Sequence, residues 1–535
     1  MLPALAALPG LIWLLSDPIS AAENPGPQPR HAAAELDQVP SWSREDLEFF
    51  LHGSMSTEIA PETVLRAFIR TYPDLFPSQD LSHLGLIPDP EFGWPVGFSR
   101  NKVPHLGGLS AVGINCASCH VAEVLPEGGG APVRILGVTS LFDAEAFFGT
   151  LIVATFRTAD PANMERFLAA YLAVNDPVDG ERMQGVFATE WQRQKSKIVT
   201  AMADDPSGSE GLAAGALHPI SGDELRLDHR LLATGLDLAA LAHSTLQLFH
   251  NMRAALHFPD QPPDKAPPAS GFGRNDAFGL LSAALFGVPQ PSAPVKYGVV
   301  WNLDQRHWVH WDGNTQSPLG RNILAALGLG APLEGKRGHF DFALVERHTT
   351  MTDRIRSPRY PFAIDRAAAS RGAAHFHAQC AACHEGPETD ARLYSPADIG
   401  TDPNRAAAFT QQQADRFNDL LARVQTPGYT APKQPGIRGT QKYWSPTLAG
   451  VWARSPYLHN GSVRTMQELL APPAARAKIF HRGSRVFDPA RLGYTDEGAY
   501  ALDTSTAGNS NAGHDYGTAL SSAEKLDLIE FLKTL

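Results

Sequence analysis

Two short stretches decide the fold of this chain: Cys116-Ala117-Ser118-Cys119-His120 and Cys380-Ala381-Ala382-Cys383-His384. Both have the pattern C-x-x-C-H, and together they contain all four cysteines of the 535 residues. Four cysteines in so long a chain exclude a disulfide scaffold. A lone C-x-x-C could also be a thioredoxin-like redox pair or half of a zinc site. Here both copies carry the histidine and no cysteine is left over, which indicates that the two motifs have the same function.

C-x-x-C-H is the attachment sequence for c-type haem. Two thiols on one helical turn can reach the two vinyl groups of a porphyrin and form thioethers, and the adjacent histidine supplies the proximal iron ligand. We therefore predict two covalently bound haem c groups, each held by the two cysteines of one motif, with His120 and His384 as the proximal ligands.

The first 22 residues have the pattern of a secretory signal peptide. An apolar run from Leu2 to Leu15 is followed by the small residues Ser20-Ala21-Ala22, with cleavage expected after Ala22. No Lys or Arg precedes this run, so an uncleaved anchor and a misassigned start are the alternatives. The run is shorter than the roughly 20 residues of a membrane span, and no later stretch qualifies. We expect a periplasmic or secreted protein without a stable membrane span.

Composition and the positions of Pro-rich segments predict the domain organisation. The net charge of −11 argues against a nucleic-acid partner, and 43% hydrophobic residues suffice for sizeable cores. The Pro-rich residues 23–44 predict an extended N-terminal arm. Residues 45–360 are predicted to form a first haem domain with long insertions; it is mainly helical, for example over 143–156 and 229–256, with a Pro-rich loop at 259–270. Residues 365–535 are predicted to form a C-terminal cytochrome c domain.

The C-terminal domain shows the clearest helical signals. Gly372, Phe376 and Cys380 recur every four residues and so share one helix face. Near the chain end, Ser521 and Glu524 form a predicted capping box before a helix with apolar spacing. Two helices crossing beside a haem are the cytochrome c arrangement. The predicted fold is mainly α, with two cytochrome c-like haem lobes, long irregular loops and little β.

The sixth iron ligands separate an electron carrier from an enzyme, because an open sixth position can bind oxygen or peroxide. Of the 20 histidines, 18 remain besides the two motif histidines, so the number of histidines alone does not identify the sixth ligands. His514 lies in a Gly/Asn-rich loop able to bring an imidazole onto a ring face. His459, beside an Asn-Gly turn, is the alternative, and Met466 is a weaker one. Around Cys116 no comparable ligand stands out, and an apolar surrounding there would leave the iron open.

Several longer stretches resemble one family. The run from Tyr443 to Val463 (YWSPTLAGVWARSPYLHNGSV) is similar to a segment of dihaem c-type proteins in the cytochrome c peroxidase and MauG superfamily. Further similarities indicate the rubber oxygenase (RoxA/RoxB-like) family, which includes fatty-acid dioxygenases. They are Val112-Gly-Ile-Asn-Cys116, Gly273-Arg-Asn-Asp-Ala-Phe-Gly279, Trp311-Asp-Gly-Asn314 and Gly508-Asn-Ser-Asn-Ala-Gly-His514-Asp-Tyr-Gly517.

The resemblance implies roles for particular residues. The haem on His120 would have no protein ligand on its distal side, whereas His384 and His514 would together ligate the second haem. His459 would then be structural or part of an electron relay. The family keeps a Phe over the oxygen-binding haem, for which Phe278 is the candidate, with Phe272 behind it; core packing is the alternative role for either.

The remaining expectations concern the positions of two tryptophans and the function of the protein. Trp311 and Trp452 either lie between the haems or are large core residues. The resemblance implies an oxygenase that uses O2 at the first haem to cleave or dioxygenate C=C bonds of a polyisoprenoid or unsaturated fatty acid. The alternatives are a dihaem peroxidase that reduces H2O2 with electrons from a small cytochrome, and a non-catalytic electron-transfer cytochrome. The peroxidase would need an acid/base residue such as Glu or His near the first haem.

Overall fold

The computed structural model describes residues 33–102, 110–159, 161–175, 270–286, 293–329, 331, 340–386, 392–424 and 436–535. The predicted signal peptide, part of the predicted arm, the predicted helix over 229–256 and most of the predicted loop over 259–270 lie outside these ranges. Within them, no helix combines the length and the apolar character needed to cross a bilayer.

Helices form wherever an amphipathic run carries a suitable start signal. The last one, for example, is capped by Ser521, whose side chain accepts a hydrogen bond from Glu524 N while the Glu524 carboxylate accepts one from Ser521 N, as the capping box predicts. The α-helices are Arg44–His52, Glu62–Thr71, Cys116–His120, Ala144–Ala159, Pro161–Asn175, Ala277–Phe286, Pro318–Gly328, Phe342–Arg354, Arg366–Gln379, Ala381–His384, Pro396–Ile399, Asn404–Ala408, Gln411–Arg423, Met466–Leu469 and Ser522–Leu532.

Short strands pair into several small sheets. A five-stranded sheet has the order Ala34–Glu35, Val133–Leu136, Val121–Pro126, Val486–Asp488, Gly493–Tyr494. A three-stranded antiparallel sheet has the order Glu58–Pro61, Ser110–Ile114, Phe98–Lys102. Three two-stranded pairs are Leu393–Tyr394 with Tyr443–Trp444, Ile479–Arg482 with Tyr500–Asp503, and Arg274–Asn275 with Val295–Lys296.

The strands correct the predicted fold class. The structure is about 41% helical and 15% strand, so it is a mixed α and β fold and the prediction of a mainly α fold with little β was wrong. The physical reason lies beside the first C-x-x-C-H motif: the strand Ser110–Ile114 ends just before it, and Val121–Pro126 begins directly after it. Val121–Pro126 pairs with Val133–Leu136 across a turn that includes Gly128, Gly129 and Gly130, all at positive φ.

The two helices predicted to cross in the C-terminal part do so. Gly372 lies directly against the backbone of Asp527 and Leu528, where a Cβ atom would overlap the Asp527 carbonyl. Phe376 is buried on the same face, and its ring centroid lies 5.0 Å from that of Phe531. Gly372 and Phe376, which lie on one face of their helix, therefore allow the close approach of the two helices that the sequence predicts.

Three hydrophobic clusters meet around the first motif. The central cluster combines Phe50, Val121, Trp301, Trp452, Phe376 and Leu528 with others, so it joins N- and C-terminal parts of the chain. A second cluster includes Phe68, Phe98, Phe142, Phe147 and Tyr297, and a third includes Met55, Phe278, Leu324, Phe409 and Phe417. Cys116 packs against the central and third clusters, whereas Cys119 packs against the second. Cys380 packs against the central one.

Candidate haem-binding sites

The second C-x-x-C-H motif presents His384 with its Nε2 atom free to bind a metal. Helix Arg366–Gln379 ends at Cys380, and the short helix Ala381–His384 turns the histidine back towards residues 445–446. His384 Nδ1 lies 2.8 Å from the Pro446 carbonyl oxygen and 3.2 Å from Ser445 Oγ. Because a carbonyl only accepts, Nδ1 carries the proton and Nε2 keeps its lone pair, the usual arrangement of a metal-binding histidine.

His514 lies opposite this imidazole. The ring centroids of His384 and His514 are 6.3 Å apart, with an interplanar angle of 46°. An iron bonded to one nitrogen of each ring at about 2 Å, the usual metal–imidazole distance, would hold the centroids about 6 Å apart. Burial lowers the pKa of His514 to about 4 and lowers that of His384, so both rings are neutral and able to donate a lone pair. The spacing fits a haem iron between them.

A set of backbone contacts holds the His514 loop in place. The buried Arg476 guanidinium donates to the carbonyls of Asn511 (2.6 Å), Gly513 (2.7 Å) and His514 (3.2 Å). Asn460 Nδ2 donates to the carbonyls of Gly508 and Ser510, and Ser462 Oγ also donates to Ser510. His514 itself has φ +52, a left-handed conformation that these contacts enforce. Arg476 was not among the predicted residues; its position in the sequence carries no motif signal.

The two other candidate ligands are engaged elsewhere. His459 is buried and stacks on Tyr443 with centroids 4.2 Å apart, and its Nε2 lies 3.0 Å from the Tyr443 hydroxyl. That hydroxyl donates its proton to the Asp402 carbonyl at 2.8 Å, so His459 Nε2 is the donor in this pair. Met466 is buried in the central cluster. Neither side chain is placed as a partner for His384 in the way that His514 is.

The first motif forms a short helix that lies in the chain between the strands Ser110–Ile114 and Val121–Pro126. Asn115 caps it: its side-chain oxygen accepts from Ala117 N at 2.9 Å, and its Nδ2 donates to the Gly53 carbonyl at 2.9 Å. Burial lowers the pKa of His120 to about 3, which keeps the imidazole neutral. The Tyr297 ring flanks it, with centroids 6.4 Å apart.

The motif side chains fit a buried prosthetic group. Cys116, Cys119 and His120 are each half-buried, so each side chain keeps accessible surface for a bound group. Burial raises the pKa of Cys116 to about 11 and that of Cys119 to about 12, so both side chains are protonated thiols at neutral pH when no group is bound. Across the described ranges, no three His, Cys, Asp or Glu side chains are grouped to hold a metal ion.

Phe278 belongs to a hydrophobic cluster that borders the first motif. It is buried in helix Ala277–Phe286 and belongs to the third cluster, against which Cys116 packs. Its ring centroid lies 5.2 Å from that of His310. The Arg405 guanidinium lies 5.3 Å from the centre of the Phe278 ring and forms a buried ion pair with Asp312 at 3.1 Å. Arg405 thus links the Gly273–Gly279 and Trp311–Asn314 stretches, a role that no local sequence pattern indicates.

The remaining predicted aromatics have structural contacts. The partly buried Phe272 packs against Gly483. Trp311 Nε1 donates to the Lys296 carbonyl at 2.8 Å, and the Lys296 ammonium lies 5.5 Å from the Trp311 ring. Trp452 is fully buried in the central cluster and donates to the Pro358 carbonyl at 2.9 Å.

Comparison with known proteins gives one family match and two relatives. Residues 442–481 match the family model described as RoxA-like, cytochrome c-like. The protein y4iJ of Sinorhizobium fredii (strain NBRC 101917 / NGR234) is 27% identical over 86% of this chain and 85% of its own length. The protein y4iM of the same strain is 32% identical over 51% of this chain and 72% of its own length. Both relatives carry the description "uncharacterized".

The cytochrome c-like segment and the C-x-x-C-H sites define the class of protein: it is a cytochrome with covalently bound haem c. Within that class the chain belongs to the same family as y4iM, and its residues 442–481 form a RoxA-like cytochrome c segment. The matched segment includes Ser445, Pro446, Asn460, Ser462 and Arg476, which hold His384 and the His514 loop.

Proposed function

We propose that this protein is a dihaem oxidoreductase in which the two haems have different tasks. The observation that carries the proposal is the asymmetry between the two sites. His384 faces a second imidazole across 6.3 Å, a spacing suited to a six-coordinate, electron-holding haem. At the first site, Cys116 packs instead against an apolar cluster that includes Phe278 and Leu324. A haem on His120 with an open sixth position would be the catalytic one.

The proposed reaction is the cleavage or dioxygenation of C=C bonds with O2, on a polyisoprenoid or an unsaturated fatty acid. The haem on His120 would supply the activation of dioxygen. The protein would hold an apolar alkene against Phe278 and the third cluster and exclude water from the site. The RoxA-like segment supports an assignment to this chemistry, and the signal-like residues 1–22 support export to the periplasm or medium.

A second candidate function is a dihaem peroxidase that reduces H2O2 with electrons from a small donor cytochrome. One specific observation favours it: the polar side chain of His310 lies next to Phe278, where a peroxidase needs a hydrogen-bonding residue near the catalytic haem. Both candidates need an open sixth position on the His120 haem.

Spectroscopy of the purified holoprotein, followed by product analysis, tests the proposal. We expect the reduced protein to bind CO at one haem only, and to oxidise polyisoprene or linoleate with consumption of O2. Turnover with H2O2 and an electron donor, without products from the alkenes, would refute the oxygenase function and support the peroxidase function. Two low-spin haems that bind neither CO nor cyanide would refute both and leave an electron-transfer cytochrome. A Cys116→Ser/Cys119→Ser variant, with only the second haem, is the matched control for the CO signal.

A further inference from the structure

His310 carries an imidazole whose hydrogen-bonding capacity the fold leaves unused. The residue lies in a turn closed by hydrogen bonds from Val309 N to Thr315 O (2.8 Å) and from Gly313 N to His310 O (3.2 Å). Its φ is +75, a conformation that residues with a side chain adopt only when their surroundings enforce it. Its Nε2 atom is buried and has no hydrogen-bond partner among the residues that the structure describes. Buried histidines with a packing role normally have such atoms paired, so this one calls for a ligand.

The His310 ring lies on the Cys116 side of the first haem site. It contacts Phe278 at 5.2 Å between centroids, and Phe278 belongs to the cluster that packs against Cys116. His120 is close enough to lower the pKa of His310 further, beyond the larger effects of burial and of the Arg321 and Arg405 charges. An imidazole in its neutral form carries one N–H that can donate.

Arg321 brings a positive charge to the same place. It lies on helix Pro318–Gly328, whose Leu324 belongs to the third cluster. Its Nε and Nη2 atoms donate to the Asn322 side-chain oxygen at 3.2 and 3.0 Å, a neutral partner. The charge acts on Cys116 and His120, the attachment thiol and the proximal ligand of the first site. Within the described ranges, no carboxylate lies within 4.0 Å of this guanidinium; Asp353 acts on it only at longer range.

Arg321 also has surface to offer a ligand. The side chain is surrounded by protein but retains accessible surface, as Cys116, Cys119 and His120 do. A buried cation without a carboxylate partner is costly unless an anionic group reaches it.

We propose that His310 and Arg321 form the polar edge of the small-ligand pocket at the first haem and donate hydrogen bonds to a bound O–O ligand. This inference rests on the proposed function, in which the His120 haem keeps an open sixth position. Dioxygen and hydroperoxide share the relevant chemistry. Dioxygen would gain negative charge on oxygen when bound to reduced iron, and hydroperoxide would gain it on losing a proton. Hydrogen bonds to such charged oxygen are roughly twice as strong as neutral ones. Phe278 would border the apolar part of the same pocket.

Cyanide and CO are suitable probes, measured on His310→Leu, His310→Gln and wild-type holoprotein. Leu fills the space without donating, so we expect cyanide to bind about 10- to 100-fold more weakly to the ferric His310→Leu protein. The C–O stretching frequency of its reduced CO complex should rise, because a hydrogen-bond donor near the CO oxygen lowers it. His310→Gln keeps a donor and should recover part of both effects. His307→Leu is the control, because His307 is exposed on the same turn.

Each outcome decides a separate point. If wild-type protein binds neither probe, the open sixth position and with it the proposed function fail. If wild-type protein binds both and His310→Leu is unchanged, only the role of His310 is overturned. A change of one haem from low to high spin in ferric His310→Leu would make His310 an iron ligand and likewise refute hydrogen bonding. The spectrum of the His384 haem in the same sample reports whether each variant has folded, and Arg321→Met extends the test to the second donor.

Discussion

Replacing Arg476 by Met should loosen the loop that carries His514. The side chain is only 4% exposed, and its guanidinium donates to five backbone carbonyls. Three of these belong to the His514 loop, and the other two, Leu469 and Ala471, belong to the segment before Arg476. Met has a similar length but no donor, so the carbonyls lose their partner while the space stays filled.

The magnitude follows from these contacts. A hydrogen bond from a charged donor contributes about 1.5–3 kcal/mol, and each buried carbonyl left without its partner costs about 1–3 kcal/mol, less where water replaces the bond. We therefore expect Arg476→Met to lower the free energy of unfolding by about 3–5 kcal/mol. The same change should give a mixture of low-spin and high-spin second haem, since His514 is no longer held opposite His384.

Denaturant unfolding and electron paramagnetic resonance of the ferric protein measure the two effects together. Added imidazole should return the high-spin fraction to low spin if the loop has moved away. Arg371→Met is the matched control: Arg371 is exposed and pairs with Asp527 on the surface, so its loss should leave the unfolding midpoint unchanged. A stability loss below about 1 kcal/mol for Arg476→Met, with an unchanged spectrum, would refute this account of the loop.

Three further changes have defined outcomes. His514→Ala should convert one haem to high spin and exogenous imidazole should reverse this; an unchanged ferric spectrum would exclude His514 as a ligand. Gly372→Ala should lower the free energy of unfolding by about 1–3 kcal/mol because its Cβ meets the Asp527 backbone, whereas Gly149→Ala, with open space around it, should be neutral or slightly stabilising; equal effects would contradict the close helix crossing. Burial raises the pKa of Glu145 from 4.5 to about 7, so the folded state binds this proton more tightly and loses stability as the pH rises from about 4.5 to 7. Glu145→Gln should therefore be more stable than wild type at pH 8 and similar at pH 4.5 in pH-dependent denaturation, and parallel curves would show that Glu145 does not titrate in this range.

Local signals in the sequence predicted what short-range chemistry determines. The spacing of the cysteines and histidines, the capping box at Ser521 and the face shared by Gly372 and Phe376 each depend on a few neighbouring residues. The prediction that His514 faces His384 came from loop composition and family resemblance, and the 6.3 Å ring spacing supports it.

The errors and omissions concern contacts between distant parts of the chain. The hairpin from Val121 to Leu136 has its own signal in three consecutive glycines, but the prediction gave more weight to the helical periodicity around it. The strand Val486–Asp488 pairs in parallel with Val121–Pro126, more than 350 residues away, and no local pattern indicates such pairing. Arg405 and Arg476 were missed for the same reason: a single arginine carries no sign of which carbonyls or carboxylates the fold will bring to it.

The position of the RoxA-like match has a consequence for function. The matched residues 442–481 contribute the contacts that hold His384 and the His514 loop, so the match describes the framework around the second C-x-x-C-H motif. Phe278, His310 and Arg321, which surround the first site on its Cys116 side, all lie outside it. A family can keep the electron-holding haem and change the reaction at the other by altering a few such residues. The proposed reaction is therefore best tested by variants of these three side chains, which combine an aromatic ring with an imidazole and a guanidinium whose partner is the neutral Asn322 side chain.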